Sequence, residues 1–231
     1  GKLTGGKFVP ASEELQAADY GSGFYASQSV LGPGDERIIM ADLGGGVQST
    51  PRRITLTESD MSLNFAPVSA LAARHAGTPV RASGVKLAAG DSKQLVGADA
   101  FADAMDINVT VSGEAGGSAV VRLRAGNSST RCRCTHESAW CCKDGPIELM
   151  VNFTGNASSP RPMHSLTVTA GRGKITIPVD GSGGAQGGTL RSTMRVVIDK
   201  QIVEVFTGQT PYSFSYMPLS GGRDVELLAV S

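Results

Sequence analysis

"MRVVIDKQIVEVF", Met194 to Phe206, reads as a β-hairpin. Val, Ile and Phe recur with period two on both sides of Asp199-Lys200, and β-branched residues favour extended backbone. Met194, Val196 and Ile198 share one face of the first strand. Beyond the turn, Val203 and Val205 point one way, and Ile202, Glu204 and Phe206 the other. Glu204 is the charged member of that second row. Its ordinary role would be a strand carboxylate paired with a neighbouring Arg or Lys.

The same chemistry extends along the chain. "RIIMADL", "RRITL", "DINVTV", "SAVVRLRA", "IELMVNF", "SLTVTA", "KITIPV" and "DVELLAV" are short, rich in Val, Ile and Thr, and often alternating. Turn residues separate them, as in "GRG", "DGSGG" and "LSGG". The 30 glycines and 11 prolines interrupt most helical runs. A helix is expected only over Pro67 to His75, "PVSALAARH", where Val68, Leu71 and Ala72 share a face. The chain is therefore all-β. From about residue 84 the roughly eight to ten strands suffice for a two-layer sandwich. The few strands before about residue 80 cannot close a core, so that region reads as a piece of something larger.

Composition narrows the partners. Among 231 residues, 40% are hydrophobic and 18% charged, enough to bury a core. Twenty-one basic and 21 acidic residues cancel, which argues against nucleic acid or an anionic membrane as partner. No apolar run approaches the roughly 18 residues of a membrane span. "DGSGGAQGG", Asp180 to Gly188, lacks the strand-to-helix setting of a phosphate loop, so no nucleotide cofactor is expected.

The chain opens at Gly1 with neither Met nor a charged-then-apolar leader; the expectation is that a leader was removed or that a longer precursor exists. Four Asn-x-Ser/Thr triplets, at Asn108, Asn127, Asn152 and Asn156, are candidate glycosylation sites and point to secretion or the secretory-pathway lumen. Cys132, Cys134, Cys141 and Cys142 cluster around His136. Their spacing departs from that of zinc sites, and an oxidising compartment favours disulfides. At least one disulfide and no metal are expected. A Cys141–Cys142 bridge would strain the peptide between them, which favours bonds back to Cys132 or Cys134.

Three stretches together resemble glycoside hydrolase family 32, the invertases and fructan hydrolases. "DYGSGFYASQSV", Asp19 to Val30, followed by "ERIIMADL", resembles the family's last-blade motif. "STPRRITLTESDMSLNFAPVSAL" resembles its next stretch, and "TMRVVIDKQIVEVFTGQ" its sandwich hairpin. They occur in family order and span essentially the whole chain. The resemblance implies the last blade region of a five-bladed β-propeller followed by a β-sandwich. The expected divisions are 1–66 as partial propeller, 67–83 as helical connector and 84–231 as sandwich. It further implies a β-fructofuranosidase-like protein whose carbohydrate partner is sucrose or a fructan.

The resemblance also places the chemistry elsewhere. Retaining glycosidases use two carboxylates roughly 5 Å apart. The family carries them in Asn-Asp-Pro and Glu-Cys motifs, with a further Asp in Arg-Asp-Pro, and none of these occurs here. No catalytic residue is assigned, and an upstream propeller segment or chain is expected to supply them. Asp35 and Glu36 follow a "GPG" turn and face solvent on this reading, while His136 and His164 fall in loops. Asp19, Tyr20, Phe24 and Tyr25 are the substrate-pocket candidates, since aromatic faces suit sugar rings. The competing roles are turn formation before Gly21 for Asp19, and packing between blades for Phe24 and Tyr25. Met40-Ala41-Asp42-Leu43 replaces the family's Gly-Trp, which departs from ordinary invertase specificity. The alternatives are a lectin-like glycan-binding sandwich, with Trp140, Tyr212, Phe214 and Tyr216 as candidate aromatics, or an inactive truncated remnant.

Overall fold

The period-two segments form strands in a computed structural model of the chain. It describes residues 1–11, 13, 15–21, 23–44, 46–58, 61–76, 78–97, 104–124, 147–154, 163–170, 173–183, 189–199, 202–207, 210–215 and 224–230. Strands β1 (Lys2–Thr4) and β2 (Lys7–Val9) make a hairpin of their own. Strands β3 (Tyr25–Leu31), β4 (Arg37–Asp42), β5 (Arg52–Thr57) and β6 (Ser62–Pro67) form an antiparallel sheet in sequence order.

The window expected to be helical forms a short 3-10 helix, Ser69–Arg74. Its bonds span three residues, from Leu71 N–H to the Val68 carbonyl and from His75 N–H to the Ala72 carbonyl. Pro67 closes β6 instead of opening the helix. Val68 then donates to the Pro51 carbonyl at 3.0 Å, which holds the chain extended for one residue more.

Among the described residues ten further strands follow: β7 (Ser92–Val96), β8 (Ala104–Glu114), β9 (Ser118–Arg124), β10 (Ile147–Asn152), β11 (Met163–Ala170), β12 (Gly173–Gly183), β13 (Thr189–Asp199), β14 (Ile202–Thr207), β15 (Thr210–Ser215) and β16 (Asp224–Val230). Hydrogen bonding runs β15-β14-β13-β12-β11-β10-β9-β16-β7, with β8 on β13. β12 pairs with β11 along Gly173–Asp180 but with β13 only at Gly181–Gly183. It therefore passes from one layer to the other.

One core unites the two layers. Val121, Leu123, Leu149, Val151, Leu166 and Val168 come from β9, β10 and β11; Leu190, Met194, Val196, Ile198, Val203 and Val205 come from β13 and β14. The hairpin pairs Ile198 with Val203 and Val196 with Val205, so the inward rows coincide as the alternation requires. His164 corrects an expectation: it lies within β11, not a loop, and is buried edge-on to Phe153 with ring centroids 5.4 Å apart. The pairing of Met163 with Asp180 carries the ladder past the apolar core of "SLTVTA" and takes His164 with it. Phe153 in turn sits where a Cβ at Gly113 would come within 2.7 Å of its ring.

The β3–β6 sheet is covered unevenly. Paired residues share a face, so Arg52, Ile54 and Leu56 line up with Pro67, Phe65 and Leu63. Arg52 is fully buried, Ile54 half-buried and Leu56 48% exposed. Burial thus fades with distance from the sandwich, whose β15 lies alongside β6. Leu31, at the far end of the same face, is 62% exposed. The other face carries Val30, Ile38, Met40 and Ala66, none of them fully covered.

Candidate functional site

Each residue of β14 is buried, which an ordinary sandwich strand with one wet face would not be. Val203 and Val205 enter the sandwich core, while Ile202, Glu204 and Phe206 turn toward the first region. A carboxylate there must find partners, because an unpaired buried charge is costly. Glu204 Oε1 accepts a hydrogen bond from Arg52 Nη2 at 2.6 Å, and its Oε2 accepts one from the Thr50 backbone N–H at 2.6 Å. The expected pairing of Glu204 is thus found, but its Arg comes from β5 rather than from a neighbouring sandwich strand.

Arg52 continues the chain of contacts. Its Nη1 donates to Asp19 Oδ2 at 2.9 Å, and Asp19 Oδ1 accepts from Gly21 N–H at 2.6 Å. The guanidinium carbon lies 4.3 Å from the Phe24 ring centre and 5.5 Å from that of Phe206. The planar cation is thereby gripped at its edge by two carboxylates and at its faces by aromatics, an arrangement suited to Arg and not to Lys. Arg52 Nε is buried without a hydrogen-bond partner. One such orphan donor costs about 1–3 kcal/mol, which the two charge-assisted bonds offset.

The four pocket candidates separate by environment. The Asp19 side chain has no exposed surface and is committed to Arg52. Tyr20 packs against the sandwich core. Phe24 lies half-buried under Arg52, and Tyr25, at the start of β3, is 76% exposed. Gly23 is required for this path, since a Cβ there would meet the Leu43 carbonyl oxygen at 2.5 Å. Asp19 and Glu204 are two carboxylates around one point, yet both are buried and ion-paired. A sugar cannot reach them, and neither can act as nucleophile or acid there.

A second polar cluster ties His75, just past the 3-10 helix, to β8 and β13. Arg195 on β13 donates from Nε and Nη2 to both oxygens of Asp106 on β8, at 2.8 and 2.6 Å. His75 Nε2 lies 2.7 Å from Asp106 Oδ2. Burial pushes the Asp106 carboxyl up, but the bonds and charges of Arg195 and His75 outweigh it and hold the group below its ordinary value of 3.8. Among the described residues, no group of three or more His, Cys, Asp and Glu side chains is placed to hold a metal ion.

Of the other sites read from the sequence, Asn108 is exposed on β8. Asn152 on β10 is half-buried, its Oδ1 accepting from Ser118 Oγ at 2.8 Å and its Nδ2 donating to Ser165 Oγ at 3.2 Å. Cys132, Cys134, Cys141, Cys142, Asn127, Asn156, Trp140 and Tyr216 lie outside the described residues. Sequence reading missed Arg52. The signal was its parity: in "RRITL" Arg52 shares the inward row with Ile54 and Leu56.

No protein-family model matches the chain, and no curated protein matches it. Solved structures do. An exo-inulinase from Aspergillus awamori is 13% identical with a TM-score of 0.56, over 100% of this chain and 46% of that one. A mutant GH32 β-fructofuranosidase from Bombyx mori, in complex with sucrose, is 14% identical with a TM-score of 0.54, over 94% of this chain and 42% of that one. At such identities the likeness is one of fold. The chain has the all-β fold of part of these enzymes and spans less than half the length of either, in line with the resemblance drawn from the three motifs.

Proposed function

We propose that this chain is the C-terminal part of a β-fructofuranosidase-like glycoside hydrolase acting on sucrose or a fructan. In this reading residues 1–66 are the last blade region of a five-bladed propeller, 67–83 the connector and 84–231 the sandwich. The catalytic carboxylates are supplied outside the chain. The observation that carries it is the β3–β6 sheet: it has apolar side chains on both faces, and its cover is confined to the end at the sandwich. A sheet of that kind is built to sit between others, as a propeller blade does. The solved fructofuranosidase and inulinase folds support the same placement.

Two experiments test it. The purified chain, incubated with sucrose, inulin and levan, should release no fructose; turnover that survives re-purification would overturn the division of labour. The coding sequence immediately upstream of Gly1 should encode Asn-Asp-Pro, Arg-Asp-Pro and Glu-Cys motifs, and a sequence lacking all three would overturn the hydrolase. Secretion is part of the proposal. Non-reducing peptide mapping of protein secreted from a eukaryotic host should find at least one bridge among Cys132, Cys134, Cys141 and Cys142. Four free thiols would remove that part.

A further inference from the structure

We propose that Glu204, a sandwich residue, is a positioning residue for the Asp19–Tyr25 wall of the first region, acting through Arg52. The inference rests on the reading of that wall as one side of a sugar pocket; the relay itself is testable without a sugar.

The geometry forms one continuous path. Thr50 N–H is bound to Glu204 Oε2, Glu204 Oε1 to Arg52, Arg52 to Asp19 Oδ2, and Asp19 Oδ1 to Gly21 N–H. Arg52 holds the wall at two points, through the Asp19 carboxylate and through the Phe24 ring. The wall itself contains Gly21 and Gly23 and precedes the irregular pairing of β3 with β4 between Tyr25 and Gln28. The guanidinium helps to hold its shape, and the guanidinium's fork is aimed by Glu204.

All three charged side chains have no exposed surface. Their mutual interactions are therefore weakly screened, and a change at one end is felt at the other. Glu204 touches no residue of the wall in this path, so its influence on Asp19, Phe24 and the exposed Tyr25 passes through Arg52. The sandwich thereby sets the shape of a surface on the other region of the chain.

Hydrogen exchange of this chain provides the test. Glu204→Gln keeps the side chain's size but removes its charge and puts an amide NH2 among donors. The amides of Gly21 and Phe24 should then exchange about tenfold faster relative to those of β10. Thr50 should lose protection with them. Val151→Ala is the control: it weakens the sandwich core, including β10 itself, without touching the path, and should not raise exchange of the wall amides relative to β10. Arg52→Lys provides a second route if the Gln variant does not fold. It keeps the charge but cannot fork to two carboxylates, and should loosen the same wall amides.

The proposal is overturned if Glu204→Gln, or Arg52→Lys in its place, leaves Gly21 and Phe24 unchanged relative to β10. It is also overturned if Val151→Ala changes the ratio equally, because the effect would then be a general loss of stability. Failure of the sugar reading, seen in the activity and upstream-sequence experiments, leaves this result untouched.

Discussion

Glu204 and Arg52 stand 152 positions apart in the chain and meet at 2.6 Å with no exposed side-chain surface on either. This ion pair joins the four-stranded sheet to the sandwich. Removing Arg52 leaves Asp19 and Glu204 buried without the cation that both bind. Arg52→Met should therefore destabilise the chain by about 3–5 kcal/mol. Removing all three charges together, Arg52→Met with Asp19→Asn and Glu204→Gln, should cost clearly less than Arg52→Met alone. Denaturant unfolding measures both, and equal losses would mean that the buried charge is not the cause.

Asp106 should give stability an acid-sensitive component. Its carboxyl is held below 3.8, the value it regains in the unfolded chain. A depressed carboxylate contributes stability that is present above the unfolded value and is lost as pH falls through the folded one. Wild-type stability should thus fall below that region, and Asp106→Asn should flatten this part of the fall. Urea unfolding from about pH 7 to about pH 2 would reveal it. An unchanged acid slope would discount the Arg195–Asp106–His75 cluster.

Gly23 and Gly113 are spatially required. At Gly23 an added Cβ would lie 2.5 Å from the Leu43 carbonyl oxygen, and at Gly113 it would lie 2.7 Å from the Phe153 ring. Each Ala substitution should cost about 1–3 kcal/mol. Gly113→Ala should be rescued by Phe153→Leu, which frees the space, whereas no side-chain change relieves Gly23, because its obstacle is backbone. Thermal unfolding of the two single variants and the double variant distinguishes these cases.

Glycan mapping of protein secreted from a eukaryotic host should find Asn108 occupied and Asn152 bare. Asn108 is exposed on β8, which among the described residues pairs with β13 alone. Asn152 lies on β10 between β9 and β11, and its amide nitrogen is already bound to Ser165. A sugar on that nitrogen would have to displace the contact. Folded protein carrying a glycan at Asn152 would contradict this.

Strand and layer were legible in the residues themselves. The alternation around Asp199-Lys200 determined that Val196, Ile198, Val203 and Val205 would share the core, because side-chain direction along a strand is a local property. The absence of the family's carboxylate motifs was equally local. The helix of "PVSALAARH" was read as one element, but a bond from Val68 to Pro51, 17 positions earlier, shortened it to a 3-10 turn. The burial of His164 likewise reflects its place in the β11 ladder and the Phe153 ring beside it, not its neighbours in sequence. The same holds for the candidate site. Asp19 and Glu204 each had an ordinary local role as turn-former and strand carboxylate, and nothing in either segment names the other. What joined them was Arg52, and its fate depended on two sheets closing over one point. An ion pair across such a distance has no sequence signature, because it arises only when packing removes water from three charges at once.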